Sequence, residues 1–482
     1  MSCALPRMPR NADTRAMRRP GEPPTLSAFD IGCVVVGGIL GVGIFFTPRA
    51  VARAVDGPLE VVLAWALGGL IAGLGAMVFA ELSGRVPGHG GMFAYIHRAF
   101  GRRPSFLYGW ANWLVIQSGA MAVIALVLVD YAGQMVGAEQ PPSDGARVTI
   151  AAAAILLFTA LNAFGLRVGR GIQNGLTVVK VLAVFALVLL GVLTFHGGHA
   201  APVAQADSGE RAHPGLALRL AAAMLPVLFS FGGWQQGSFL AGAARRPRDV
   251  AVGVLVGVAV VVVAYLGVNL AFLALLGFEG ARASEAIGAD AVRVALTPFG
   301  LGDTGARALA ALVVVSSLGI LNTICFAPPF VLHAMSNEGL FPAAVGRLHP
   351  TRHVPVVAVL VQGLWAVVLL LATHAWADSW GGGGGAGDVL GFLLDGVVFV
   401  DWLFFGLCGL ALFRLRRTGG ENAADGYRMR YPRVVAGAFT LFALAVTTGA
   451  VATSPLPSLA GLAVCGAGGV IDWMRSRRAV GR

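Results

Sequence analysis

The segment VVVGGILGVGIFFTPRA, residues 34–50, decides how this chain must fold. It is apolar enough to lie in a lipid bilayer, yet four glycines and a proline interrupt it. Glycine weakens a helix interior, and irregular backbone at membrane depth is tolerated only where it is buried in protein or lines a cavity. The segment therefore predicts a membrane helix that is broken near its middle, at a place where the protein builds a site.

A second segment, LPVLFSFGGWQQGSFLAGA at residues 225–243, has the same character. Each segment opens a block of five apolar runs, and glycine-broken helices at matching places in two halves indicate a transporter site at a repeat interface. The alternative is close helix packing, which we favour for the G-x-x-x-G step of Gly69 and Gly73. The matched positions instead favour a break at Gly41, Gly43, Gly232 and Gly233.

The rest of the chain has the composition of a membrane protein with many spans. Its 482 residues are 57% hydrophobic and 12% charged, and soluble domains contain about 25% charged residues. The apolar runs are continuous rather than alternating, which favours an all-α integral membrane protein over a barrel. We predict twelve transmembrane helices near residues 29–53, 59–83, 106–134, 147–165, 173–195, 219–242, 249–277, 304–334, 354–373, 387–412, 432–452 and 456–474.

The net charge of +11 is explained by membrane topology, so no nucleic acid or other acidic partner is required. With both ends in the cytoplasm, 26 arginines fall in inner segments and 8 in outer ones, which is the positive-inside asymmetry. The first apolar run has no small-residue cleavage site, so we interpret it as a retained helix rather than a signal peptide. The predicted units are a cytoplasmic tail (1–28), two five-helix repeats (29–196 and 216–413), helices 11 and 12 (432–474) and a second cytoplasmic tail (475–482).

Six segments, in order along the chain, resemble the permeases of the amino acid–polyamine–organocation (APC) superfamily. They are GVGIFFTP (41–48), ELSGRVPGHGGMFAYIHRAFG (81–101), LNAFGLRVGRGIQNGLTVVK (161–180), FSFGGWQQ (229–236), LNTICFAPPFVLHAMSNEGLFPAAVGRLHPTRHVPVVA (321–358) and FLLDGVVFVDWLFFGLCGLALFRLRR (392–417). The fourth and sixth are most similar to the L-type amino-acid transporter branch and its bacterial relatives. The resemblance implies a LeuT-type fold of two inverted five-helix repeats, with the substrate between discontinuous helices 1 and 6.

Such a site suits an amino acid for physical reasons. A broken helix exposes unpaired N–H groups that attract a carboxylate, and its free carbonyls hold an ammonium group. By this resemblance Gly41, Val42 and Gly43 would bind the carboxylate and Ile39 would lie near the amine, while Phe229, Ser230 and Phe231 would offer carbonyls. Phe229 would also be the gating aromatic, Gln235 would face the substrate beside the Gly232 break, and Trp234 would either form part of the pocket wall or pack between helices.

Four positions depart from the pattern that the resemblance implies. Val42 replaces a common serine, which removes a hydroxyl group but leaves the backbone donors in place. Gly242 and Ala243 replace an acidic pair, and Phe330 replaces an arginine of helix 8. The last three changes put the family's inner gate, and its coupling, in question for this chain.

Lys180 is the only lysine beside 34 arginines, and it lies within an apolar run. A charged residue at mid-membrane is costly and marks function by default. The resemblance implies an amine that occupies the sodium site of sodium-coupled relatives, beside the helix 1 break and helix-8 groups such as Ser316 or Ser317. A buried lysine can lose its proton whereas arginine stays charged. Three roles therefore remain open, which are proton linkage, a fixed cation and a snorkelling side chain.

These observations predict a secondary transporter of amino acids, by proton-linked symport or exchange, in the inner (plasma) membrane. Neutral substrates are expected because neither broken helix carries an acid or a base. The alternatives are a non-transporting amino-acid sensor and a permease for polyamines or charged amino acids. We expect no enzymatic activity, no cofactor and no metal site, since no motif or convergent set of reactive residues indicates one. The roles of Asp395 and Asp401, the oligomeric state and any accessory subunit remain undecided.

Overall fold

A computed structural model of the protein describes residues 26–86, 90–138, 142–164, 170–193, 215–239, 241, 244–326, 328–350, 354–379, 386–418 and 426–480. Regular structure in these ranges is helical, apart from one isolated bridge between Leu26 and Ala244. The first half contains α1 (Ala28–Ile39), α2 (Gly43–Ala54), α3 (Pro58–Arg85), α4 (Met92–Phe100), α5 (Arg102–Ala111), a π-helical segment (Asn112–Gln117), α6 (Ser118–Met135), α7 (Asp144–Ala163) and α8 (Arg170–Leu193).

The second half repeats this all-helical character. It contains α9 (Leu216–Phe231), α10 (Gln236–Phe239), α11 (Pro247–Ala283), α12 (Ile287–Leu296), α13 (Gly302–Phe326), α14 (Pro329–Asn337), α15 (Ala343–Gly346), α16 (Val356–Ser379), α17 (Ala386–Arg417), α18 (Pro432–Thr453) and α19 (Pro455–Val480). The segment 277–294, which lies between the predicted spans 249–277 and 304–334, is largely helical: α11 kinks at Gly277 and α12 follows. Gly242, Ala243 and the glycine run 381–385 lie outside the described residues.

The helices confirm a membrane protein with many spans. Within the described ranges, ten helical stretches are long and apolar enough to cross a bilayer, and the bent pair α1–α2 makes eleven if it counts as one span. The fifth predicted span overlaps α8, whose shorter apolar part is Thr177–Leu193. The count of twelve spans remains a prediction.

Helix α1 begins and ends where its sequence requires. Ser27 and Asp30 form a capping box, in which the Ser27 N–H donates to the Asp30 carboxylate over 2.9 Å and the Ser27 hydroxyl accepts from the Asp30 N–H over 3.3 Å. This arrangement satisfies backbone donors that a helix start leaves free. The helix stops at Ile39, and α2 starts at Gly43 after a bend of 46°.

The second break depends on Gly233. Its φ is +127°, a conformation that L side chains rarely adopt. A Cβ at this position would lie 3.0 Å from the carbonyl carbon and oxygen of Gly38. The two breaks are therefore in direct contact, and this close approach requires that position 233 has no side chain.

The neighbours of the broken helices hold the two breaks at the centre of the bundle. Helix α1 packs on α8 and α11, α2 packs on α9, and α6 packs on α13. A buried aromatic cluster of Trp65, Phe231 and Tyr265 fills the space between α3, α9 and α11, with ring centroids 5.1 to 5.9 Å apart. These contacts pack the helices closely around the breaks, and a cavity lies between the two breaks.

Candidate functional site

The cavity lies between the two broken helices and has a volume of about 100 Å³. Residues of the α1–α2 and α9–α10 breaks form much of its wall, together with parts of the π-helical segment, α6, α13 and α17. The described residues that line it are Gly38, Ile39, Gly41, Val42, Gly43, Ile116, Gln117, Ala120, Ile124, Leu228, Phe229, Ser230, Gly232, Gly233, Gln235, Gln236, Ile320, Ile324, Val397, Val398, Asp401 and Trp402. Eight of the ten predicted substrate-binding residues are among them.

Free backbone donors lie beside this cavity, at the start of α2. Within the described part of the chain, the N–H groups of Val42, Gly43 and Ile44 make no hydrogen bond, while the next one, Phe45 N–H, donates to Val42 O over 3.0 Å. Val42 and Gly43 line the cavity themselves. Unpaired N–H groups and the positive end of the helix dipole together favour an anion, so this end of α2 suits a carboxylate.

The carbonyls of the two breaks are held by Tyr265, which the sequence reasoning did not identify. Its hydroxyl lies 2.6 Å from Ile39 O and 3.2 Å from Ser230 O, and its side chain is fully buried on α11. The hydroxyl therefore bridges α1 and α9 at the level of both breaks. The only sequence signal was one tyrosine inside the apolar run of α11.

Ser230 joins the two helices a second time, on the side of α2. Its hydroxyl lies 2.6 Å from the Thr47 hydroxyl, which also donates to Gly43 O over 2.9 Å. A Cβ on Gly43 would lie 3.0 Å from the Ser230 Cα. The close contact of α2 with α9 therefore needs a glycine at the first residue of α2, as the motif at 41–48 suggested.

The amide of Gln235 supports the second break. Its side-chain oxygen accepts from the Gly233 N–H over 2.9 Å. Gln235 also lines the cavity, so its prediction as a residue facing the site is consistent with the structure. The oxygen caps the backbone and leaves the amide nitrogen to contact a ligand.

Two predicted residues do not line the cavity. Trp234 is fully buried and stacks on Phe405 with ring centroids 4.9 Å apart, which is packing between helices as in the second of the two roles left open. Phe231 lies in the aromatic cluster with Trp65 and Tyr265. Phe229 does line the cavity and meets Phe46 edge to face, 6.1 Å between ring centroids, which places an aromatic pair between α2 and α9.

A cavity between two glycine-broken helices, with free N–H groups on one of them, has the chemistry that suits a small zwitterion. The sequence agrees: residues 26–464 match the family model described as "Amino acid permease". The chain belongs to this family. It is an amino acid permease of the L-type branch of the APC superfamily, and its family and relatives are transporters rather than enzymes.

Several curated relatives are similar over most of the permease. The b(0,+)-type amino acid transporter 1 of Mus musculus is 26% identical over 388 residues, which cover 80% of this chain and 74% of the relative. The cystine/glutamate transporter of Homo sapiens is 27% identical over 80% of this chain and 72% of its own length. The large neutral amino acids transporter small subunit 2 of Oryctolagus cuniculus is 28% identical, covering 78% and 66%. The permease is thus similar to transporters of differing substrates.

Lys180 is buried in α8, 7% exposed, and does not line the cavity. One turn earlier on the same helix, the Thr177 hydroxyl donates to Cys33 O of α1 over 3.1 Å and fixes α8 against α1. The Ser317 hydroxyl donates to Val313 O within α13, and Ser316 is buried beside it. No hydrogen bond joins Lys180 to either serine in the described residues, so the coupling role of these three residues stays a prediction.

The two aspartates of α17 have separate surroundings. The Asp395 carboxylate accepts from the Ser454 hydroxyl over 2.6 Å, at the junction of α18 and α19. Asp401, six residues later and on a different face of the helix, lines the cavity. Among the described residues that line the cavity, Asp401 is the only charged one.

Proposed function

We propose that the permease is a secondary active transporter whose amino-acid substrate binds between the α1–α2 and α9–α10 breaks. The observation that supports this most is the set of free N–H groups at Val42, Gly43 and Ile44, next to a cavity whose wall includes the break residues. These donors would bind the substrate carboxylate, and the carbonyl ends of α1 and α9 would receive its ammonium group. Phe229 would close over the bound substrate as a gate.

The proposal includes a twelve-span architecture with two inverted five-helix repeats. The breaks fall at corresponding places, in the first helix of the unit 29–196 and the first helix of the unit 216–413, which supports a repeat with the site at its interface. Alternating access would then move one set of helices against the other around the fixed site. The arginine distribution supports cytoplasmic termini in an inner membrane.

Coupling is proposed to be proton-linked, as symport or exchange, with Lys180 as the residue that changes its charge state. Burial of the only lysine, in a helix that packs directly on α1, supports this role. A fixed cation at the same place is the alternative, and it would suit an exchanger. Neutral substrates were expected because neither broken helix carries an acid or a base. Asp401 of α17 also lines the cavity, and that expectation did not take its charge into account.

The carboxylate site can be tested by ligand binding to the purified protein in detergent. For whichever amino acid binds, we expect its methyl ester and its decarboxylated amine to bind at least about 30-fold more weakly, because charge-assisted hydrogen bonds to the N–H groups are lost. The N-acetyl derivative provides the corresponding test of the ammonium site. Equal binding of the amino acid and its decarboxylated amine would show that the start of α2 does not bind the carboxylate.

A further inference from the structure

We propose that Asp401 recognises a cationic substrate side chain, so that the cavity selects amino acids such as arginine, lysine and ornithine over neutral and acidic ones. This inference rests on the proposed function, because it takes the cavity to be the amino-acid site. The inference takes the class of substrate from one side chain on α17, which lies outside the two broken helices.

Asp401 lies on the wall of the cavity, where a bound substrate would contact it. Val397, Val398, Asp401 and Trp402 all line the cavity. Their spacing along α17 is that of a single helix face. The same wall contains Val42 and Gly43 of the α2 start, so one small cavity holds both the free N–H groups and the carboxylate. A ligand bound by its α-carboxylate at α2 therefore places its side chain within the same space as Asp401.

Asp401 differs from the carboxylates of Asp395, Glu81 and Asp130 in having no partner within the described residues. Asp395 bonds to Ser454, Glu81 pairs with Arg416, and Asp130 pairs with Arg147. Asp401 is 9% exposed and makes no hydrogen bond or ion pair within the described residues. Buried carboxylates are normally paired, so an unpaired one that lines a ligand cavity indicates that the ligand supplies the cation.

The other polar side chains of the cavity do not neutralise this charge. Gln117 donates through its amide nitrogen to Asn112 over 3.1 Å, and the Gln235 oxygen is bonded to the Gly233 N–H. Lys180 is not among the residues that line the cavity. A bound guanidinium or ammonium group would therefore pair with Asp401, a neutral side chain would leave the carboxylate unpaired, and an acidic one would be repelled.

The matched ligand pair for the test is arginine and citrulline, which have the same length and nearly the same shape but differ in charge. Wild-type protein in proteoliposomes should take up arginine with a kcat/KM at least about 30-fold higher than citrulline, since leaving one member of a buried charge pair alone is costly. Lysine and norleucine should show the same order. Glutamate should be excluded.

Substitutions then assign the selectivity to this carboxylate. In Asp401→Asn the ratio of arginine to citrulline should fall to within about threefold, while uptake of citrulline persists or rises. Asp401→Glu should keep a preference for arginine, because it restores the charge. Asp395→Asn, on the same helix but bonded to Ser454, is the matched control and should keep the wild-type ratio. Monodisperse elution in detergent identifies variants that fold.

Three results would overturn the inference and leave the proposed function intact. They are equal uptake of arginine and citrulline by the wild type, an unchanged preference for arginine in Asp401→Asn, and loss of proton-driven uptake in Asp401→Asn with the ratio unchanged. Because the first comparison uses wild-type protein alone, the inference can fail even if the variants do not fold. Absence of uptake of every amino acid by the wild type would instead contradict the proposed function.

Discussion

At the scale of single residues, the site depends on positions where a side chain is missing. Gly233 has a left-handed backbone, and its Cα faces the carbonyl group of Gly38. Gly43 lets α2 approach Ser230. Both glycines belong to the clusters from which the breaks were predicted, so sequence alone found the places where the backbone leaves the helix.

The first prediction concerns Gly233→Ala. A methyl group would lie 3.0 Å from backbone atoms of Gly38, which cannot move away like a flexible side chain, and the φ of +127° would be strained. We expect uptake to fall at least about tenfold, since strain of 1–3 kcal/mol is typical for such conformations. Gly73→Ala is the control and should leave uptake unchanged, because the close packing expected at Gly73 is absent and a Cβ there meets nothing within 4 Å. Wild-type uptake in Gly233→Ala would show that the two breaks can separate freely.

The second prediction concerns Lys180→Met, which keeps the length and removes the charge. If Lys180 exchanges a proton during the cycle, uptake should become independent of pH and lose its response to an imposed proton gradient. Thr177→Val, one turn away on the same face, removes a hydrogen bond to Cys33 but no charge, and should keep the wild-type pH profile. A slower uptake with the pH profile retained would favour the fixed cation. Unchanged rate and profile in Lys180→Met would remove Lys180 from the mechanism.

At the scale of helices, hydrogen bonds between neighbouring helices hold the two breaks in position relative to each other. Tyr265 on α11 bonds to the carbonyls of Ile39 and Ser230, and Thr47 on α2 bonds to the Ser230 hydroxyl. The broken halves are thus connected by side chains from three helices. Periodicity could not have identified Tyr265, because its role depends on which residues α11 faces in the folded protein.

The third prediction follows for Tyr265→Phe. The ring stays packed against Trp65 and Phe231, but the carbonyls of Ile39 and Ser230 lose a buried donor. We expect the substrate concentration at half-maximal uptake to rise about tenfold, since an unsatisfied buried group costs about 1–3 kcal/mol. Tyr431→Phe, at an exposed tyrosine just before α18, should behave as wild type. Unaltered uptake in Tyr265→Phe would mean that the bridge does not position the carbonyls.

The fourth prediction concerns Glu81, which joins α3 to the end of α17. Its fully buried carboxylate binds Arg416 through two hydrogen bonds of 2.6 and 2.7 Å, Arg85 over 2.8 Å and the Met429 N–H over 3.1 Å. Glu81→Gln should lower the unfolding temperature in detergent by several degrees, because two buried arginine contacts lose their charge partner at a cost of roughly 3 kcal/mol. Glu60→Gln, near the start of the same helix, changes a carboxylate that is 18% exposed rather than fully buried, and should lower the unfolding temperature less. Equal temperatures for the two variants would show that the Glu81 contacts do not fasten these helices.

At the scale of the whole molecule, composition and apolar runs were sufficient to predict an all-helical membrane protein. Each predicted span overlaps a helix of the described chain, because burial in lipid requires continuous apolar stretches of a fixed length. The predicted span 249–277 ends where α11 leaves helical geometry, at Gly277 with a φ of +71°, but the chain then forms a further short helical stretch to Ala283 and the helix α12. The polar segment there still forms helices because tertiary contacts with α2 and α13 stabilise them.

The cavity residues that were predicted from the sequence all lie at the two helix breaks. Ile39, Gly41, Val42 and Gly43 were named through the resemblance to the APC permeases, and the glycine cluster indicated the position of the break. The distribution of side chains could not be deduced in the same way. Asp395 and Asp401 are equally placed in one apolar run, and only the packing of α17 shows that Asp401 faces the cavity while Asp395 meets Ser454. Trp234 was ambiguous for the same reason.

The central claim is that this permease moves amino acids across a membrane. The measurement that tests it most directly is uptake of a mixture of labelled amino acids, including arginine, into proteoliposomes that contain the purified protein. One set would have an imposed inward proton gradient and a second set would be preloaded with unlabelled amino acids. The account predicts saturable uptake that either follows the gradient and stops with a proton uncoupler, which means symport, or occurs only into preloaded vesicles, which means exchange. Uptake no greater than in protein-free vesicles under both conditions would contradict it.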